Sequence, residues 1–136
     1  MPNNEKGKGI KTYFKIILIS FFLTACSFKE PSLSQSATIL IKTPTLKFYD
    51  KGFIKSYPNH THVTIFSAGT AVLELKIYEN RICKDTFECQ SFKAFNKTYL
   101  HSSYEDDFIK KLFLQPQKKI LFKDSVHNIT IKVDKD

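Results

Sequence analysis

Ala71-Val72-Leu73-Glu74-Leu75-Lys76-Ile77-Tyr78 places Ala71, Leu73, Leu75 and Ile77 on one side and Glu74, Lys76 and Tyr78 on the other. Successive side chains of an extended strand point to opposite faces, so this period of two predicts a strand with one face against a core. Working outward, the same alternation recurs in residues 38–42, 62–66 and 128–133, and more weakly in 118–123. Asp50-Lys51-Gly52 lies between the apolar stretches 46–49 and 53–55 and reads as a hairpin loop, because glycine accepts the left-handed backbone. Ser67-Ala68-Gly69-Thr70 reads as a second turn. One helix is expected: Ser103 stands ready to cap residues 104–113, with acids in the first turn, lysines later and Pro116 beyond the end. Tyr104, Phe108, Leu112 and Phe113 share a side of that helix and would cover one end of the sheet. Roughly seven short strands, one short helix and frequent turns predict a mainly β fold, an antiparallel immunoglobulin-like β-sandwich, with a small closed β-barrel as the alternative.

The N-terminus has a different logic. Lys6, Lys8, Lys11 and Lys15 against a single Glu5 precede the apolar run Ile16-Ile17-Leu18-Ile19-Ser20-Phe21-Phe22-Leu23. A positive segment before a short apolar core is the pattern of an export signal. The run is less than half of the roughly 20 residues a helix needs to cross the hydrocarbon layer. Leu23-Thr24-Ala25-Cys26 resembles the lipobox of bacterial lipoproteins. That resemblance implies that residues 1–25 are a signal peptide, removed, and that Cys26 carries a diacylglycerol on its thiol and an acyl chain such as palmitate on its new amino group. Two or three chains anchor stably where one binds marginally. Ser27, in place of the aspartate that marks inner-membrane retention in enterobacteria, implies the outer membrane, with the domain facing the periplasm or the surface. Residues 26–36 are then lipidated cysteine and tether, polar and without periodicity, and residues 37–136 the domain.

Removing the four lysines and one glutamate of residues 1–25 from the 21 basic and 13 acidic residues leaves 17 against 12, a net charge of +5. About 110 residues suit one core. The lysines are scattered singly and no recognition motif is present, so a nucleic-acid partner is not expected. With Cys26 lipidated, the three cysteines resolve into one pair, Cys83 and Cys89, expected as a disulfide. Five intervening residues allow the chain to turn back. A redox pair usually shows two, and a zinc site needs further ligands that the neighbouring sequence lacks.

Candidate chemistry is sparse. His60 and His62 stand two apart and project to one strand face, where they would reach a metal together, but Thr64 continues that face as a polar, solvent-side row. Glu105, Asp106 and Asp107 suit the first turn of a helix, where negative charge is stabilised by about 0.3–1 kcal/mol. His101 and His127 are isolated in sequence. Asn59, Asn96 and Asn128 each begin an Asn-x-Thr sequon, without the acid two places earlier that general bacterial glycosylation requires. Gly52 and Gly69 are the only glycines after residue 25, so no glycine-rich phosphate cradle is available. No nucleophile elbow is present. We therefore expect no catalytic residue, no metal and no cofactor, and not an enzyme.

The lipobox, the Cys83 and Cys89 pair, and the run Phe95-Asn96-Lys97-Thr98-Tyr99-Leu100 leading into Tyr104-Glu105-Asp106-Asp107-Phe108 resemble small lipoproteins of the campylobacterial group. The resemblance implies a variant immunoglobulin-like domain in a family without established catalytic activity, and it carries over no functional residues. The expected function is that of a membrane-anchored envelope lipoprotein acting as a protein-interaction or assembly module. Binding of lipid or another small ligand is the alternative. The expected partners are the membrane, through the covalent lipid, an acidic or neutral envelope protein, and a second copy of the chain. Basic lysozymes fit poorly, because a +5 domain repels them within a screening length of about 10 Å.

Overall fold

The computed structural model describes Tyr13, residues 15–17 and residues 30–136, and the chain divides into a unit of residues 1–30 and a unit Pro31–Asp136. In the first unit Tyr13 and residues 15–17 are helical. Cys26 and most of the expected signal peptide lie outside the described residues. No helix among the described residues is long and apolar enough to cross a membrane.

The second unit contains, among the described residues, strands β1 (Leu33–Lys42), β2 (Lys47–Ser56), β3 (His60–Ser67), β4 (Thr70–Tyr78), β5 (Ile82–Lys84) and β6 (Glu88–Gln90). Helices α1 (Phe92–Tyr99) and α2 (Phe108–Phe113) follow, then strands β7 (Lys119–Asp124) and β8 (Ile129–Lys135). All pairings are antiparallel, in one sheet of order β6-β5-β4-β3-β2-β1-β8-β7. The expected mainly β, antiparallel class is thus what the chain forms, and a single ladder is consistent with a sandwich or an open sheet. The ladder ends at β6 and β7, which are not paired with each other among the described residues, so no closed barrel is made.

Alternation places one face of nearly every strand in the core. Ile39 and Ile41 of β1, Val63 and Ile65 of β3, Leu73, Leu75 and Ile77 of β4, and Ile131 and Val133 of β8 are buried together. Phe92 and Phe95 of α1 and Ile109, Leu112 and Phe113 of α2 join the same cluster. Each fully buried side chain of this size contributes about 1.5–3 kcal/mol, which makes the cluster the main source of stability.

Four sequence expectations need correction. The tether does not extend to Ser36: residues 33–36 lie in β1, pairing with residues 53–56 of β2, because their backbone finds ladder partners despite polar side chains. Asp50-Lys51-Gly52 is not a hairpin loop, since β2 runs through it unbroken. A Cβ at Gly52 would sit 2.1 Å from the Thr64 carbonyl oxygen and 3.1 Å from Ile39 Cδ1, so glycine here permits close approach of neighbouring strands. The helix expected from residue 104 begins at Phe108, and Ser103 does not cap it. The Ser103 hydroxyl instead lies 2.8 Å from His101 Nδ1. Finally there are two helices in this unit, not one. Ser91 caps α1 by accepting from the Ala94 N–H at 3.1 Å. The second expected turn is present: Ala68 (φ 50°) and Gly69 (φ 79°) join β3 to β4 with the two left-handed residues of a type I′ hairpin.

Candidate functional site

The outward face of the sheet is the most distinctive surface. Residues directly opposite in neighbouring strands share a face, so the registers define rows across it. One row runs Leu121, Lys132, Leu40, Tyr49 across β7, β8, β1 and β2. Leu121 is 68% and Tyr49 67% exposed. On one side of it lies Lys123, Thr130, Lys42, Lys47, and on the other Lys119, Asp134, Thr38, Lys51. Further along, Phe53 meets Phe66 edge to face at 6.0 Å, with the Lys55 ammonium 5.7 Å from the Phe53 ring centre. Apart from Lys135, the lysines of these strands therefore converge on one face, where only Glu74 and Asp134 among the described strand residues oppose them. A net charge that looked diffuse along the chain is concentrated by the fold.

His60 and His62 are placed on this face, as the alternation predicts, but they meet different partners. His60 stacks between Tyr57 (4.6 Å) and Tyr78 (4.9 Å), and the Arg81 guanidinium lies 4.5 Å from the Tyr78 ring centre. His62 is half-buried, with Nε2 3.2 Å from the Thr64 hydroxyl and 4.0 Å from Glu74. Burial lowers its pKa below the ordinary histidine value; Glu74 opposes the shift, and Lys76, His60 and Lys55 add to it. Among the described residues no three histidine, cysteine or carboxylate side chains converge as a metal set.

Cys83 and Cys89 stand directly opposite in the β5–β6 hairpin with their Sγ atoms 2.03 Å apart, at disulfide distance. The same hairpin is fastened to α1, since the Tyr99 hydroxyl donates to the Glu88 carboxylate and the Lys84 ammonium lies 5.6 Å from the Tyr99 ring centre, while within the hairpin Lys84 pairs with Asp85 (2.9 Å) and Glu88 (3.4 Å). Glu105 and Asp107 pair with Lys111 at 3.0 and 3.4 Å and do not gather with Asp106 into a site.

The structure also brings together residues that sequence leaves apart. His101 and His127 stack with ring centres 3.7 Å apart. His127 Nδ1 donates to Asp124 Oδ2 at 2.6 Å, and the Tyr104 hydroxyl donates to the same oxygen. Asp124 Oδ1 accepts from the Val126 and His127 N–H groups at 3.0 and 3.2 Å, closing the β7–β8 turn. The Tyr104 and His127 hydrogen bonds hold the Asp124 carboxyl well below the usual carboxylate range, while burial and then Asp124 push Tyr104 up. Serine, histidine and carboxylate are all present, but on two rings. Asp124 orients His127, whereas Ser103 contacts His101, whose Nδ1 accepts the Ser103 backbone N–H at 3.1 Å. Stacking joins the ring faces and not their nitrogens, so no serine–histidine–carboxylate relay is formed. The spacing 101 to 127 offers no local signal: His101 follows α1 and His127 lies in the β7–β8 turn, and only the tertiary fold brings the two together.

The domain is thus an antiparallel, mainly β fold with two helices in its core and a lysine-rich, partly apolar outer face. No protein-family model matches the chain, and comparison with curated proteins and with solved structures finds no match either.

Proposed function

We propose that the chain is a lipid-anchored protein of the bacterial outer membrane, held through Cys26, and that its domain is a protein-interaction or assembly module without a reaction of its own. The observation that carries the reading is the exposed row Leu121, Lys132, Leu40, Tyr49 among lysines on the outer sheet face. Aromatic and aliphatic contacts ringed by charge are what a protein partner buries, and a basic face favours a partner with an acidic surface. Leu23-Thr24-Ala25-Cys26 supports the anchor.

Two measurements test this. Cys26→Ala is expected to abolish labelling by a fatty-acid probe and to move the chain from the membrane to the soluble fraction; unchanged membrane retention overturns the anchor. A photocrosslinker at Tyr49 in intact cells is expected to capture one protein reproducibly, whether a second copy or another envelope component. The alternative, a lipid or small-ligand binder, has one feature in its favour: a cleft of about 420 Å³ walled largely by Leu33, Ile54, Phe113, Leu114 and Pro116. Stoichiometric lipid copurifying with the Cys26→Ala chain, and no protein at Tyr49, would favour that reading instead.

A further inference from the structure

The free edge of β7 specifies its occupant. In an antiparallel ladder, alternate residues turn both backbone groups to the same side. The Lys135 N–H donates to the Lys118 carbonyl at 2.9 Å, so residues 118, 120, 122 and 124 face β8. The N–H and C=O groups of Lys119, Leu121 and Lys123 face the other way, and no strand among the described residues pairs with them. The opposite edge, β6, has three residues and is tied down by Cys83–Cys89, whereas β7 has six. Beside β7 lies a groove of about 140 Å³ walled by Phe108, Leu112, Ile120, Leu121 and Phe122 together with Glu105, Lys111 and Gln115.

We infer that β7 accepts an extended peptide segment of a partner protein, with the pattern acid, apolar, apolar, apolar, acid. This deepens the interaction-module reading and rests on it. A strand added at this edge sets three side chains opposite Lys119, Leu121 and Lys123 on the outer face. Its two intervening side chains turn toward the groove. Opposite-charge and apolar cross-strand pairs stabilise a ladder and like charges destabilise it, so the outer positions take carboxylates at the ends and an apolar residue between. The apolar part of the groove wall, Phe108, Leu112, Ile120 and Phe122, favours apolar side chains at those two positions. A second copy of β7 is the wrong occupant: antiparallel pairing about Leu121 sets Lys119 opposite the other copy's Lys123, twice, which is how edge lysines discourage self-pairing.

The test uses the full chain in detergent and a fluorescent peptide, Thr-Glu-Val-Leu-Val-Glu-Thr, read by anisotropy. The expected result is saturable binding, with the peptide carrying lysine at both glutamate positions bound about tenfold more weakly or worse. Lys119→Glu with Lys123→Glu is expected to reverse that preference, and Leu121→Pro, which removes an outward N–H without touching the bonds to β8, to abolish binding of both. Equal binding of the two peptides, no reversal in the double variant, or dimerisation of the chain through β7 overturns the proposal. A photocrosslinker at Leu121 separates this failure from that of the wider reading. Capture at Tyr49 but not at Leu121 removes the edge as the site and leaves the module reading in place, while capture at neither, with lipid copurifying, removes both.

Discussion

At Gly52 the absence of a side chain is what lets β2 pass between β1 and β3. Gly52→Ala places a methyl group 2.1 Å from a backbone oxygen of β3, which cannot rotate aside. Overpacking of this kind costs about 1–3 kcal/mol and more where backbone must shift. Urea denaturation is therefore expected to show a lowered midpoint with an unchanged slope, the shift multiplied by the slope giving that loss. His62 gives the second residue-scale expectation. Its pKa is lower in the folded chain than in the unfolded one, so below the ordinary value near 6.5 the unfolded state binds the proton more readily. Its contribution is complete above that pH and is lost as pH falls through the folded value. His62→Gln should flatten the fall in stability between pH 7 and pH 5, and an identical slope in the variant would show that burial of this ring is not its source.

Among the elements, β3, β4 and β8 were legible because apolar residues alternate cleanly along them, and the antiparallel, mainly β class followed from that period. The features missed share a physical cause, a residue used for something other than its commonest purpose. Gly52 reads as a turn former but serves close packing. Ser103 reads as a helix cap but is engaged by His101. Phe92, Phe95 and Tyr99 of α1 do recur at helical spacing behind Ser91, but the stripe is interrupted by Asn96, which is buried because its side-chain amide donates to the Glu105 carbonyl at 2.8 Å. The pairing of Cys83 with Cys89 was legible once Cys26 was set aside as the lipid-bearing residue, and the two stand at disulfide distance. A ring this small removes about 2–2.5 kcal/mol of unfolded-state freedom by the loop-entropy estimate. Replacing both cysteines by serine should lower stability by about that much while leaving the far-ultraviolet circular dichroism of the sheet intact; loss of the whole sheet signal would mean that the bridge holds more than its own hairpin.

For the molecule as a whole, the charge was legible as a number and its placement was not, since which lysines share a face depends on the register of strands far apart in sequence. The same holds for His101 and His127, which only long-range pairing brings into contact. Ile131 shows how tightly those distances are bound together: fully buried in β8, it stands opposite Ile41 of β1 and Phe122 of β7. Ile131→Ala should cost about 2–5 kcal/mol, and backbone and aromatic dichroism should still melt in one coincident transition. Separate transitions would show that β7 and β8 unfold independently of the remainder. The place of β8 also orders events in time. β1 is an interior strand whose second neighbour is made of residues 129–135, so a growing chain carries β1 with one side bare until nearly all of the domain has been synthesised. Until residues 129–135 arrive, the inner side of β1 is itself a bare edge, open to pairing with any other chain that meets it.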